Sequence, residues 1–225
     1  MSLSSSITGS GRIDINDITA NWYGGLNQSS GLFIGHLSSD AATKSFIGLK
    51  IDDHDGVSFD ASAYIEGPSG RMASSAPVNL PNAGMYSFTY TYDPTIDAPN
   101  NRYGRLTAVI DSVYTLTFDL SQSDRNCGAQ FNSFGMGATS DLNSTNDPSA
   151  TVSAYIDNVS YTGHTGTVDF ETNPNWTSSN ATTGGNNYGY RQVDYTDNGF
   201  YECESGEEGP ELRKLNQDGS PRMVC

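Results

Sequence analysis

The sequence predicts an all-β protein, an antiparallel β-sandwich. Short runs of alternating apolar and polar residues recur along most of its 225 residues. Asp, Asn, Pro or Gly separates each run from the next, the spacing expected of sandwiches and barrels. No window of comparable length shows a clean 3.6-residue period, so little helix is expected.

Taken in order, residues 1–12 are rich in Ser and Gly and read as a flexible arm. Ile13 to Thr19 alternates and predicts a half-buried strand, followed by a turn carrying Trp22 and Tyr23. Gly31 to Gly35 is a short apolar run. Ser45 to Ile51 reads as a buried strand, and Val57 to Ile65 alternates through Phe59, Ala61, Ala63 and Ile65. Gly67 to Ala83 holds three prolines and reads mostly as loop. From Tyr86 to Tyr92 an aromatic stands at every second residue, so Tyr86, Phe88, Tyr90 and Tyr92 share one strand face. That face is expected to be the core, with Tyr92, near the strand end, the member best placed for exposure. Leu106 to Ile110 and Tyr114 to Phe118 predict a hairpin joined by Asp111-Ser112-Val113. Phe131 to Met136 and Val152 to Tyr161 are the last strands before a polar boundary. Residues 164–201 read as an extension or the start of a second repeat, and 202–225 as a disordered tail.

Four pieces in this order resemble the concanavalin A-like lectin/glucanase superfamily, and within it the LamG-like bacterial domains. They are Tyr92-Asp93-Pro94, Gly104-Arg105-Leu106-Thr107, Phe131 to Gly135, and Tyr155-Ile-Asp-Asn-Val-Ser-Tyr-Thr162. Phe46 to Ile51 fits the same pattern. The likeness covers roughly residues 20–163 and, with the strand predicted from Ile13, gives one LamG-like β-sandwich over residues 13–163. It implies a jelly roll of two antiparallel sheets, with carbohydrate binding as the usual activity and glycan cleavage a rarer one. In such relatives a Trp…Gly-Asn-Asn-(Phe/Tyr)-Gly-Tyr segment usually precedes the Tyr-Asp-Pro piece. Here Trp176 and Gly185 to Tyr190 follow it, so the sandwich is incomplete with a second repeat beginning, or it is permuted.

The formal net charge is −15, with 11 Lys and Arg. A nucleic-acid backbone calls for a basic surface, so nucleic acid is not the expected partner; anionic lipid is disfavoured for the same reason. No stretch approaches the roughly 20 apolar residues of a membrane helix. The Ser, Thr, Asn, Gly and Tyr content suits a secreted or cell-surface protein, although no apolar leader region is visible at the N-terminus. Cys127, Cys203 and Cys225 form no Cys-x-x-Cys pair and no zinc spacing. Cys203 and Cys225 are the pair that would close a loop in an oxidising compartment, the alternative being free thiols.

The candidate chemistry falls in three places. Asp52, Asp53, Asp55 and Asp60 surround His54 and Gly56 and form the densest set of oxygen ligands, which suits calcium in a flexible loop. The alternative is a solvated acidic turn, since no Glu closes the loop at the EF-hand spacing. Trp22, Tyr23, Tyr92, Trp176, Tyr188 and Tyr190 are the candidate carbohydrate-binding residues. A ring stacks on a sugar, and neighbouring Asn and Asp supply hydrogen bonds. For the loop aromatics the alternative is plugging the sandwich edge. Third, Thr167-Val-Asp169-Phe-Glu171 resembles the glucanase strand Glu-x-Asp-x-(x)-Glu, but Thr167 takes the nucleophile's place. Retaining glycosidases need two carboxyls about 5 Å apart, so a degenerate hydrolase is the third reading. His36, His54 and His164 lie far apart, and no nucleophile elbow is present. The expected function is a non-catalytic carbohydrate-binding or adhesion module, with a structural module of a surface or virion protein as the alternative.

Overall fold

The chain enters its first sheet earlier than composition suggests. In the computed structural model, strand β1 (Ile7–Asn16) begins inside the expected arm, and Leu3 and Ile7 are buried. The reading of residues 1–12 as flexible is therefore corrected. Composition hid the strand because Gly9 and Gly11 fill core-facing positions between Ile7 and Ile13. A Cβ at Gly9 would lie 2.5 Å from the Tyr90 ring, so only glycine leaves room for it.

The structure describes residues 1–16, 32–38, 45–53, 58–68, 72–81, 84–96, 103–138, 153–171, 174, 176, 201–206, 209–215 and 221–223. After β1 come β2 (Leu32–Leu37), β3 (Phe46–Asp53), β4 (Ser58–Glu66), β5 (Met72–Ser74) and β6 (Val78–Pro81). Then follow β7 (Gly84–Asp93), β8 (Arg105–Ile110), β9 (Tyr114–Asp119), the one-turn helix α1 (Gln122–Arg125), β10 (Ser133–Ala138) and β11 (Ser153–Tyr161). The first sheet has the order β11-β1-β7-β8-β9. The second has the order β10-β2-β3-β4-β5, with β6 also paired to β4. Every pairing is antiparallel.

The sheets face each other through opposite strand parities. From the first come Tyr86, Phe88, Tyr90 and Tyr92, all at most 9 % exposed, with Leu106, Ala108 and Ile110. From the second come Ile34, Ile47, Leu49, Phe59, Ala63 and Ile65. Phe59 meets Tyr86 edge-on at 5.5 Å. Burying each large side chain contributes about 1.5–3 kcal/mol. Tyr92 thus belongs to the core and not to a sugar-binding surface, which corrects the expectation of exposure. Its hydroxyl lies 3.0 Å from the carbonyls of both Leu3 and Tyr103 and accepts from Arg125. Strand-end position alone suggested solvent, but the N-terminal residues and α1 close that end.

His36, on β2, ties the sheets together. Its Nε2 donates to the Thr162 carbonyl at 2.9 Å, so Nδ1 accepts the Tyr90 hydroxyl proton at 2.6 Å. Burial pushes its pKa below the ordinary value of 6.5, against a smaller upward effect of the Thr162 bond. Phe134 and Tyr161 stack at 4.2 Å beside it, and His164 stacks on Tyr161.

Two irregularities have local causes. The β8–β9 hairpin turns at Asp111 and Ser112, both at positive φ, and Asp111 accepts from the Ser87 amide and hydroxyl. In β11 a bulge opposite Gly11 holds Asn158 at φ 51°. Asn tolerates that region better than most residues. The bulge shifts the parity, so that Ile156 and Val159 both serve the core side.

Residues Met1–Val168 form one compact unit, and both sheets lie within it. Val168 bridges back to Val159. In the second unit, Asp169–Cys225, the backbone makes strands β12 (Tyr201–Gly206), β13 (Gly209–Leu215) and β14 (Pro221–Met223), paired antiparallel in that order. The disorder expected from Glu202 onward is corrected for these residues. The run is polar, yet its backbone pairs from Tyr201↔Lys214 to Gly206↔Gly209. Among the described residues no helix is long and apolar enough to cross a membrane.

Two outcomes follow. The unfolded histidine binds a proton more tightly than the folded one, so stability is full above pH 6.5 and falls as the pH drops from there toward the folded value. Denaturant titrations from pH 7 to 5 should show that slope, and His36→Gln should flatten it. Gly104 has φ +94°, and a Cβ there would meet the Tyr92 hydroxyl at 2.6 Å. Gly104→Ala should therefore lower stability by about 2 kcal/mol or more in chemical denaturation.

Candidate functional site

Strands have two faces, and the face of the second sheet turned away from the core is unusually polar. On β3 it carries Phe46, Gly48, Lys50 and Asp52. Directly opposite on β4 are Glu66, Tyr64, Ser62 and Asp60. On the other side, β2 contributes Leu37, Gly35 and Phe33. An outward face of an antiparallel sheet normally meets water. Here Lys50 and Tyr64 are 0 % exposed, and Asp52, Ser62, Glu66, Phe33 and Phe46 at most 6 %. Asp60 is half-buried.

The rings pack over a gap left by glycine. Gly35 and Gly48 stand opposite each other, and a Cβ on either would lie 2.3 Å from a carbonyl oxygen of the neighbouring strand. Phe33, Phe46 and Tyr64 cover this region, with centroids 5.0, 5.4 and 6.1 Å apart. Aromatic rings are a common way to fill the space a sheet glycine leaves.

The charges lie beside the rings. Lys50 Nζ is 3.0 Å from Asp52 Oδ2 and 5.5 Å from the Tyr64 centroid. The Tyr64 hydroxyl donates to Glu66 Oε2 at 3.2 Å. Burial, then the nearby Glu66 and Asp52 charges, raises the Tyr64 pKa strongly, so the phenol stays a proton donor and is no base. Asp60 Oδ1 accepts from Asn79 Nδ2 at 3.0 Å. Amine, hydroxyl and carboxylate groups beside aromatic faces form the mixture that orients a polyhydroxylated ligand.

The structure brings Asp52 and Asp60 together as direct partners across β3 and β4. It also gives Asp52 a cation, Lys50, which competes with a calcium ion for that carboxylate. Asp55 and the Asp53 side chain lie outside the described residues. Among the described residues no group of three or more His, Cys, Asp or Glu is placed to hold a metal. Trp22, Tyr23, Tyr188 and Tyr190 also lie outside them. Trp176 is 37 % exposed and meets Phe170 edge-on at 5.1 Å within the second unit. Asp169 and Glu171 are exposed and outside any strand, with Glu171 N donating to Asp169 Oδ1 at 3.2 Å. The alternating geometry that would aim both carboxyls at one bond is therefore missing there. The Cys127 side chain is buried.

Lys50, Ser62, Tyr64 and Glu66 were absent from the expected site. For Ser62, Tyr64 and Glu66 the signal was nevertheless in the chain. Between the apolar residues read as core, every second residue from Asp60 to Glu66 is polar. No protein-family model matches the chain, and no curated protein matches it.

Removing one partner of a buried ion pair costs about 3–5 kcal/mol, whereas replacing both with apolar groups is often neutral. Lys50→Met should therefore destabilise strongly in urea denaturation, and adding Asp52→Leu should restore much of the loss. Equal destabilisation in the single and double variants would show that the pair is not coupled.

Proposed function

We propose that the chain is a non-catalytic β-sandwich module of the concanavalin A-like, LamG-like kind, a jelly roll that binds carbohydrate or mediates adhesion on a secreted or cell-surface protein. The observation that carries this reading is the way the resembling pieces meet. Tyr92 of the Tyr-Asp-Pro piece packs on Gly104 of the Gly-Arg-Leu-Thr piece. Phe134 of the Phe-x-x-Phe-Gly piece stacks on Tyr161 of the last strand at 4.2 Å. Segments distant in sequence thus touch in pairs, which is a physical reason for their occurring together. The outer face of the second sheet adds the appropriate chemistry, with rings beside hydroxyl, amine and carboxylate. The glucanase-like segment supports no catalysis, because Thr167 stands where the nucleophile would be. Calcium enters this reading as a rim ion at the Asp52–Asp60 turn, and the Lys50–Asp52 pair counts against it.

A specific observation also favours the structural reading. The groups on the outer face are solvent-excluded and pair with one another, as a secondary core does and an open binding surface does not.

A glycan-array screen of the purified chain, run with calcium and again with chelator, tests the proposal. Binding to a defined glycan class is the expected result. Loss with chelator keeps calcium in the reading, and persistence removes it. Silence from a demonstrably folded sample would reject carbohydrate binding and leave the structural module.

A further inference from the structure

Charge is absent from the middle of the first sheet's outer face, although the chain carries a formal −15. Residues in register form rows across that sheet. One row is Thr162, Thr8, Thr91, Thr107 and Thr117, one from each strand except Thr162, which directly follows β11. Thr8 and Thr162 are joined by the Thr162 N to Thr8 O bond at 2.9 Å, and their hydroxyls are 3.0 Å apart. The next row holds Ser160, Ser10, Thr89, Val109 and Thr115. Val109 is its single position without a hydroxyl. Every position in both rows is exposed or half-buried.

The charges of this face stand outside the two rows: Asp93, Arg105 and Asp119 in one bordering row, Arg12, Asp111 and Asp157 in the other, and the buried Asp14 beyond it. Arg105 makes two bonds to Asp119, at 2.5 and 3.0 Å. Asp111 accepts from Ser87, and Arg12 stands opposite Asp157 in register. Such segregation matters in so acidic a chain. An acidic polymer is repelled by the molecule as a whole, and a basic one finds carboxylates elsewhere. A face of neutral hydroxyls and methyls matches an uncharged, polyhydroxylated partner. Its geometry narrows the choice further. Neighbours within a row are about 4.8 Å apart, and the rows about 6.8 Å. The first interval is close to the length of one sugar in an extended β-1,4-linked chain.

We propose that the two hydroxyl rows on the outer face of the first sheet bind an uncharged, extended β-1,4-linked polysaccharide laid across the strands. Each threonine offers a hydroxyl to a sugar oxygen and a methyl to a ring C–H. The ligand class rests on the carbohydrate-binding reading above. The choice of face rests on register and charge alone, and it is separate from the outer face of the second sheet.

Affinity electrophoresis of the full chain through gels containing hydroxyethyl cellulose tests it, with carboxymethyl cellulose as the charged counterpart. The neutral polymer should retard the protein, and the charged one should not. Thr91→Val combined with Thr107→Val keeps shape and strand propensity while removing two hydroxyls. It should weaken retardation about tenfold, from two lost hydrogen bonds of about 0.5–1.5 kcal/mol each, with unchanged circular dichroism. No retardation of the unsubstituted chain overturns the proposal, and so does equal retardation of the double variant. In the latter case glycan binding stands and only the face is wrong. Silence both here and on the glycan array would reject the carbohydrate reading itself.

Discussion

Three phenol hydroxyls carried into the core on β7 set a condition that the rest of the first unit has to meet. A buried hydroxyl without a partner costs a large part of a hydrogen bond, so each needs one where it ends up. Tyr86 donates to the Pro81 carbonyl at 2.8 Å, which fixes the end of β6. Tyr90 meets His36, which joins β7 to the second sheet and, through Thr162, to the end of β11. Tyr92 meets the Leu3 and Tyr103 carbonyls and Arg125, which draws in the N-terminal residues and α1. Gly9 and Gly104 then follow as the positions where no side chain fits beside these rings. The strand supplies apolar area and polar tips together, so it determines which peripheral segments must close around it.

The two outer faces solve opposite problems. That of the second sheet gathers charge and excludes water, so its stability depends on internal pairing: Lys50 with Asp52, Tyr64 with Glu66. In such surroundings breaking a pair costs more than the pair is worth. The outer face of the first sheet keeps to neutral hydroxyls and meets water. Its Arg105–Asp119 pair is solvent-accessible, and there the mutual hydrogen bonds hold the Asp119 carboxyl below, and the guanidinium above, their ordinary ranges. Exposed pairs of that kind contribute little to folding. They do keep charge confined to the border of the hydroxyl rows.

These faces bear differently on function. A covered polar cluster is chemically rich but presents nothing to a partner while it stays covered. An open hydroxyl face is chemically plain but accessible. Of the two, only the open face is available to a glycan as it stands, through arrays of hydrogen bonds. The structural reading draws its strength from the covered face alone.

The sequence by itself determined the strand parities. Alternation from Tyr86 to Tyr92, from Leu106 to Ile110 and from Phe59 to Ile65 identified the core side of three strands, because side chains on a strand have only two directions. The same alternation held the polar parity of β4, so Ser62, Tyr64 and Glu66 were legible as one face, whereas Lys50 joins them only through the β3–β4 pairing. What sequence could not supply is whether a face is covered. Burial depends on segments remote along the chain, which is why Tyr92 looked like a candidate for exposure and lies at 0 %. Nor could composition reveal the first part of β1, before Ile13, where glycines occupy core positions that large residues from β7 fill. Local periodicity decides which way a side chain points; only the tertiary arrangement decides what it meets there.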